Sequence, residues 1–208
     1  MTDALESIIS RERLGTYLAA TGFDRERALN LYAWNMRIAA AFFPLLGAAE
    51  ICSRNLIAAR LEAVYGAIWW RSSQLHTTMG KRGKGIVLRV ADKITDSGKP
   101  ETPGRVIAEL SFGFWVNMLL YKYDPVLWAP LHPHFPELPT DVDRTGLHLR
   151  LLQVQSLRNR IGHHEPIFAR NLTQDYADCL GLVRWMNAEK AAWIAPHCDV
   201  MRLMRQKP

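Results

Sequence analysis

Cysteine is scarce in this chain, and the three that occur, Cys52, Cys179 and Cys198, stand far apart with no CxxC or other ligand spacing. That pattern excludes a zinc knuckle, and an odd number of scattered thiols suits a reducing cytosol better than a disulfide scaffold. Long apolar runs are missing as well. The longest nearly apolar stretch, IAAAFFPLLGAA at residues 38–49, lies between Arg37 and Glu50 and is shorter than the roughly 20 residues a spanning helix needs. The opening residues, MTDALESIISRER, mix both charge signs and lack the apolar centre of a signal peptide. No segment alternates with the period of a strand, and there is no repeat or low-complexity tract. These absences predict a soluble cytoplasmic protein with no membrane attachment.

What the chain does have is apolar substance and helical rhythm. Its 208 residues fit a single domain over positions 1–208; 49% are hydrophobic and seven are tryptophan, enough to bury a sizeable core. Lys and Arg number 26 against 20 Asp and Glu, a net +6. Such a balance permits a polyanionic partner without requiring one.

The pattern is helical nearly throughout, which predicts an all-α fold. A first helix is expected over residues 3–20, stopped by Gly22, and Asp24 should cap a second. Pro44 should kink or break that second helix, because its nitrogen cannot donate to the ladder; helical spacing then resumes and ends at Gly66. Residues 76–85, HTTMGKRGKG, are glycine-rich and basic and read as an exposed loop, followed by a short basic helix, IVLRVADKITDSG. Thr102 and Pro103 make a start signal for one apolar helix, GRVIAELSFGFWVNMLLY. DPVLWAPLHPHFPELP holds five prolines and reads as a loop. Thr140 or Asp141 should cap DRTGLHLRLLQVQSLRNRIG, whose apolar stripe is Leu147, Leu151, Val154, Leu157 and Ile161, and a last long helix covers residues 172–192.

The stretch that carries chemistry is LRNRIGHHEPIF, residues 157–168. Arg158 and His163 stand five apart at the end of an amphipathic helix, near one edge of it if the helix continues through Gly162. Arginine keeps its charge and presents a planar fork matched to phosphate oxygens, and histidine exchanges a proton near neutrality. Together they are a minimal kit for phosphodiester transesterification without metal. Asn159 adds an amide that can hold the arginine or a phosphate oxygen, and His164 a second imidazole. By spacing alone, the same pair also reads as a helix end with surface charges.

Arg158-Asn159 followed by His163 resembles the Arg–polar–spacer–His motif of HEPN proteins, and RNRIGHHEPIF resembles the signature segment of the bacterial abortive-infection (Abi-like) family. LYAWNMRIAAAFFPLLGAAEICSRNLI, with its Glu50, Arg54 and Asn55, resembles that family's first block. PGRVIAELSFGFWVNML resembles the second, continued by Tyr123, Asp124 and Trp128. The likeness spans roughly residues 29–185 in the family's order; Cys52-Ser53 departs from the more aliphatic pair expected before Arg54-Asn55, which bears on local packing. The resemblance implies a HEPN-like helical bundle with additional N-terminal helices, dimerised so that two Arg–His motifs face each other. It implies a metal-independent, cofactor-free endoribonuclease acting in phage defence as toxin or effector, with room for an antitoxin or other regulatory partner. In that chemistry the ribose 2′-hydroxyl attacks the adjacent phosphate and leaves a 2′,3′-cyclic phosphate. His163 would be the general acid or base, Arg158 would neutralise charge on the phosphorane, and Asn159 would orient one of them. The alternative is a HEPN-like module that binds RNA or a protein without cutting.

Other residues carry two readings each. Glu50 and Arg54, four apart, are either an ordinary ion pair or buried support for Arg158 or His163. Lys81, Arg82 and Lys84, together with Arg160, are candidate RNA contacts or simply solvated charges. Phe112, Phe114 and Trp115 could stack bases, but their spacing inside an apolar helix favours core. His132 and His134, taken with His163, His164 and Glu165, permit a metal reading, yet adjacent histidines seldom share an ion and HPH has no fixed relation to the motif. No metal site is expected.

Overall fold

The computed structural model describes residues 9–208. The protein is all-α, with no strand among the described residues. Helix α1, Arg11–Ala20, starts where the Ser10 side chain accepts from the Arg13 amide; residues 3–8 of the helix expected there lie outside the described residues. Helix α2, Arg25–Tyr65, starts at Asp24, which accepts from the Arg27 amide, and stops at Gly66, whose φ of 86° suits glycine.

Of the kink or break expected at Pro44, the break does not occur. Proline removes one ladder bond and leaves the Ala40 carbonyl without its amide. Pro44, Phe43 and Ala40 are all exposed, so water can serve that carbonyl and the helix continues for 41 residues. Uninterrupted, α2 becomes long and apolar enough to cross a membrane by length and composition, which the run at 38–49 alone was not. Its apolar positions are nevertheless occupied: Leu31, Trp34, Ile38, Phe42, Leu45 and Leu61 are buried beneath the helices packed on them.

After a 3-10 turn at Trp69–Arg71 comes α3, Ser73–Asp96. The loop expected at residues 76–85 is instead a bent part of this helix. Gly80 takes φ 69°, ψ −179° and redirects the chain. Gly83 leaves room for Met79, whose Cβ would lie 2.7 Å from any Cβ placed there. The glycines therefore mark a bend, and the basic helix expected next is the second half of α3.

Helix α4, Pro103–Glu109, begins at the anticipated Thr102–Pro103 signal. It is short, because Ser111 caps a separate α5, Phe112–Asn117. The proline-rich stretch winds through brief helical turns from Tyr121 to His134. Helix α6, Arg144–Gly162, is capped by Asp143 (not Thr140 or Asp141), which accepts from the Gly146 amide at 2.8 Å. The last long helix is likewise divided: Asn187 caps α8, Ala188–Ile194, after α7, Leu172–Met186, and α9, Val200–Met204, follows.

Helices α1, α7 and α9 pack most extensively on α2, and α6 lies against α5 and α7 while also touching α2. The α6 stripe from Leu147 to Ile161 is buried as its spacing predicts, each side chain contributing about 1.5–3 kcal/mol. Trp34 donates from Nε1 to the Leu203 carbonyl at 2.8 Å, fastening α9 to α2. Phe112, Phe114 and Trp115 are buried, with Trp69 against Phe114 and Trp115, so that aromatic cluster is core.

Candidate active site at the C-terminal end of α6

Helix α6 stays helical through Gly162, and His163 is its C-cap with φ −92°, ψ 9°. The helix therefore runs unbroken from Arg158 to the residue before His163. The Arg158 guanidinium lies along the last turn: its Nη1 would sit 4.0 Å from a Cβ added at Gly162, the residue immediately before His163. The imidazole is exposed.

Glu50 is the residue that holds Arg158. Its Oε2 lies 3.4 Å from Arg158 Nε, with side-chain exposures of 20% and 45%. Helix α2 thus brings a carboxylate to the motif, and the ion pair runs between helices; no Glu50–Arg54 pair occurs among the described residues. The contact is through Nε, which leaves both terminal nitrogens of the fork without a hydrogen-bond partner among the described residues. Asn159 is half-buried, and its carbonyl accepts from the His163 amide at 2.9 Å. Arg54 is half-buried with an Nε that is sequestered and unpartnered, and Asn55 is exposed.

The turn after the helix is built for rigidity. The His164 amide donates to the Ile161 carbonyl and the Glu165 amide to the Arg160 carbonyl, the paired bonds of a Schellman cap. That motif places its next residue in the left-handed region, usually as glycine; here it is His164, with φ 55°. A non-glycine residue there is strained by about 1–2 kcal/mol, and such strain persists only where surroundings over-determine it. Three side chains do so. Arg13 donates to the His164 carbonyl at 2.6 Å. Arg160 donates to the Pro166 carbonyl at 3.0 Å and pairs with Glu165 at 3.4 Å. Asn35, buried within α2, accepts the amides of Ile167 and Phe168 at 2.8 and 3.1 Å.

Arg160 is thus committed to the turn. Lys81, Arg82 and Lys84 are exposed on α3, but the structure does not gather them at the motif. Their turn neighbours Lys122, which donates to the Met79 carbonyl, and the adjacent Tyr121 ring lies 5.9 Å from the Arg144 guanidinium at the opposite end of α6. His132 and His134 are exposed in a proline turn, and no three His, Cys, Asp or Glu side chains converge as metal donors among the described residues.

Asn35 and Arg13 were missed by sequence reasoning. Asn35 had a visible signal, a polar residue within the apolar stripe of Leu31, Trp34 and Ile38; Arg13 had none, being 151 positions from its acceptor. Comparison with family models, with curated proteins and with solved structures finds no match for this chain.

Proposed function

We propose that this chain is a metal-independent endoribonuclease of the HEPN type, a cytoplasmic Abi-like effector or toxin that works as a homodimer. The observation that carries the reading is the placement of Arg158: Glu50 lies against its Nε while the terminal nitrogens stay open along the last turn of α6, and His163 is exposed at the end of that turn. An open guanidinium edge can bind two phosphate oxygens at once. An exposed imidazole at the next turn can take a proton from the 2′-hydroxyl or give one to the departing 5′-oxygen. Each chain supplies one Arg–His set, and a two-fold axis pairing two sets would provide both acid and base.

The test is end chemistry. Purified protein incubated with RNA in EDTA should leave 2′,3′-cyclic phosphate and 5′-hydroxyl ends. His163→Ala should lower the rate by about 10²–10⁴-fold while RNA binding is nearly kept. Activity that vanishes in EDTA and returns with Zn²⁺ or Mn²⁺ refutes the mechanism. A folded His163→Ala protein cutting at the wild-type rate transfers the case to a second reading, a non-catalytic RNA- or protein-binding module.

A further inference from the structure

A groove of about 580 Å³ runs between α1, α2 and the end of α6, bordering the motif through Ile161, His164 and Glu165. Asn35 lines it, with only 5% of its surface exposed. Two backbone amides approach Asn35 Oδ1, so the orientation of the side-chain amide is fixed and both Nδ2 hydrogens point elsewhere. Those hydrogens have no acceptor among the described residues. Tyr17, also lining the groove and 1% exposed, brings a hydroxyl with no partner there; burial pushes its pKa up to about 12, so it stays a neutral donor. Neither donor is sequestered; both reach solvent in the groove, where a ligand can take them up. Flat or apolar walls face them, the Tyr32 ring, 5.1 Å from that of Tyr17, and the exposed side chains of Met36 and Phe43; Arg13, His164 and Glu165 line the groove as well.

We propose that this groove is a base-recognition subsite, seating the nucleobase 5′ of the scissile phosphate and selecting bases that carry a carbonyl. The inference rests on the ribonuclease reading. A planar ring suits the tyrosine and apolar walls, and its edge must offer acceptors to Asn35 and Tyr17. Asparagine normally reads adenine with both ends of its amide, giving to N7 and taking from N6. In this groove Oδ1 already serves Ile167 and Phe168, so an adenine amino group facing Asn35 would meet only its donors. Guanine O6 and the uracil carbonyls receive what Nδ2 has to give.

Calorimetric titration of the full chain with 3′-GMP, 3′-UMP and 3′-AMP tests this without any need for cleavage. At least one carbonyl-bearing nucleotide should bind tenfold or more tightly than 3′-AMP. Ala40→Trp, placed at an exposed position on the groove wall, should abolish that binding. Asn35→Asp keeps the acceptor for both amides and removes the donors, so it should level the three affinities; Tyr17→Phe should weaken the preference even if Asn35→Asp fails to fold. Equal affinity for all three nucleotides, or selective binding untouched by Ala40→Trp, overturns the subsite. Selective binding by a protein that cuts no RNA removes the ribonuclease reading and leaves the groove, whereas cleavage with no base preference does the reverse.

Discussion

At the N-terminal end of α6 stand Arg144 and His148; toward the other end, about 21 Å away at 1.5 Å per residue, stand Arg158 and His163. The first pair is taken up by packing. Arg144 is 15% exposed, its Nε lies 2.6 Å from Asp124, and its Nη1 donates to the Leu119 carbonyl. Burial, and secondarily the Arg144 charge, push the His148 pKa below the ordinary histidine value, which keeps that ring neutral. The second pair has the same residue types and also a carboxylate from elsewhere in the chain. Its ion pair is longer, its arginine 45% exposed, and its histidine open to solvent. What separates the two Arg–His pairs on this helix is access: His148 Nε2 is sequestered and unpartnered, whereas the Arg158 fork and the His163 ring are open to solvent.

The sharpest way to break this comparison is to remove each arginine. Arg158→Ala should lower RNA cleavage by about 10²-fold or more and change stability by less than about 0.5 kcal/mol, as expected for an exposed pair. Arg144→Ala should cost about 2 kcal/mol, because it leaves a half-buried Asp124 carboxylate and the Leu119 carbonyl unpartnered. Urea denaturation of the two variants gives both numbers. Equal destabilisation by the two substitutions would make both ends structural.

Glu50 gives a smaller effect with a different signature. As a positioning residue it should affect turnover: Glu50→Gln should lower kcat about tenfold, or about 1.4 kcal/mol, with KM unchanged or reduced because the freed guanidinium holds phosphate more tightly. The melting temperature should move little, since the pair is loose. A fall in stability with kcat intact would make Glu50 a strut between α2 and α6 and nothing more.

Much of α6 was legible because its determinants are local. The stripe from Leu147 to Ile161 repeats at helical spacing, and the caps at Asp24 and Thr102 act within three residues of themselves. What could not be read depends on distant partners. Proline's cost at position 44 is visible in sequence, but the fact that this side of α2 faces water is not. Gly83 looks like loop composition until Met79 is seen beside it. The motif was found from residues 157–168 and Glu50 was named as possible support for it, whereas Arg13, which holds the following turn, lies on a helix that sequence reading could not bring there. Asn35 was overlooked although an amide inside an apolar stripe is a signal in its own right.

The mildest perturbation concerns the cap that shapes the C-terminal end. The N-terminal end of α6 closes on Asp143 in ordinary extended backbone, φ −85°, whereas the C-terminal end closes on His164 at φ 55°. Glycine adopts that conformation without steric cost. His164→Gly should therefore stabilise the folded protein by about 1 kcal/mol, raising Tm by about 2–4 °C in a chain of this size. The Schellman bonds and the Arg13 contact use only backbone atoms of residue 164, so the turn itself should survive. If the imidazole of His164 assists at the site, the more stable variant will cut RNA more slowly, and strain at this end will have a functional reason absent at the other. A variant both more stable and fully active would make His164 an unoptimised cap and leave proton transfer to His163 alone. A variant less stable than the parent would mean that the His164 side chain anchors the turn, and the contrast between the two ends of α6 would narrow.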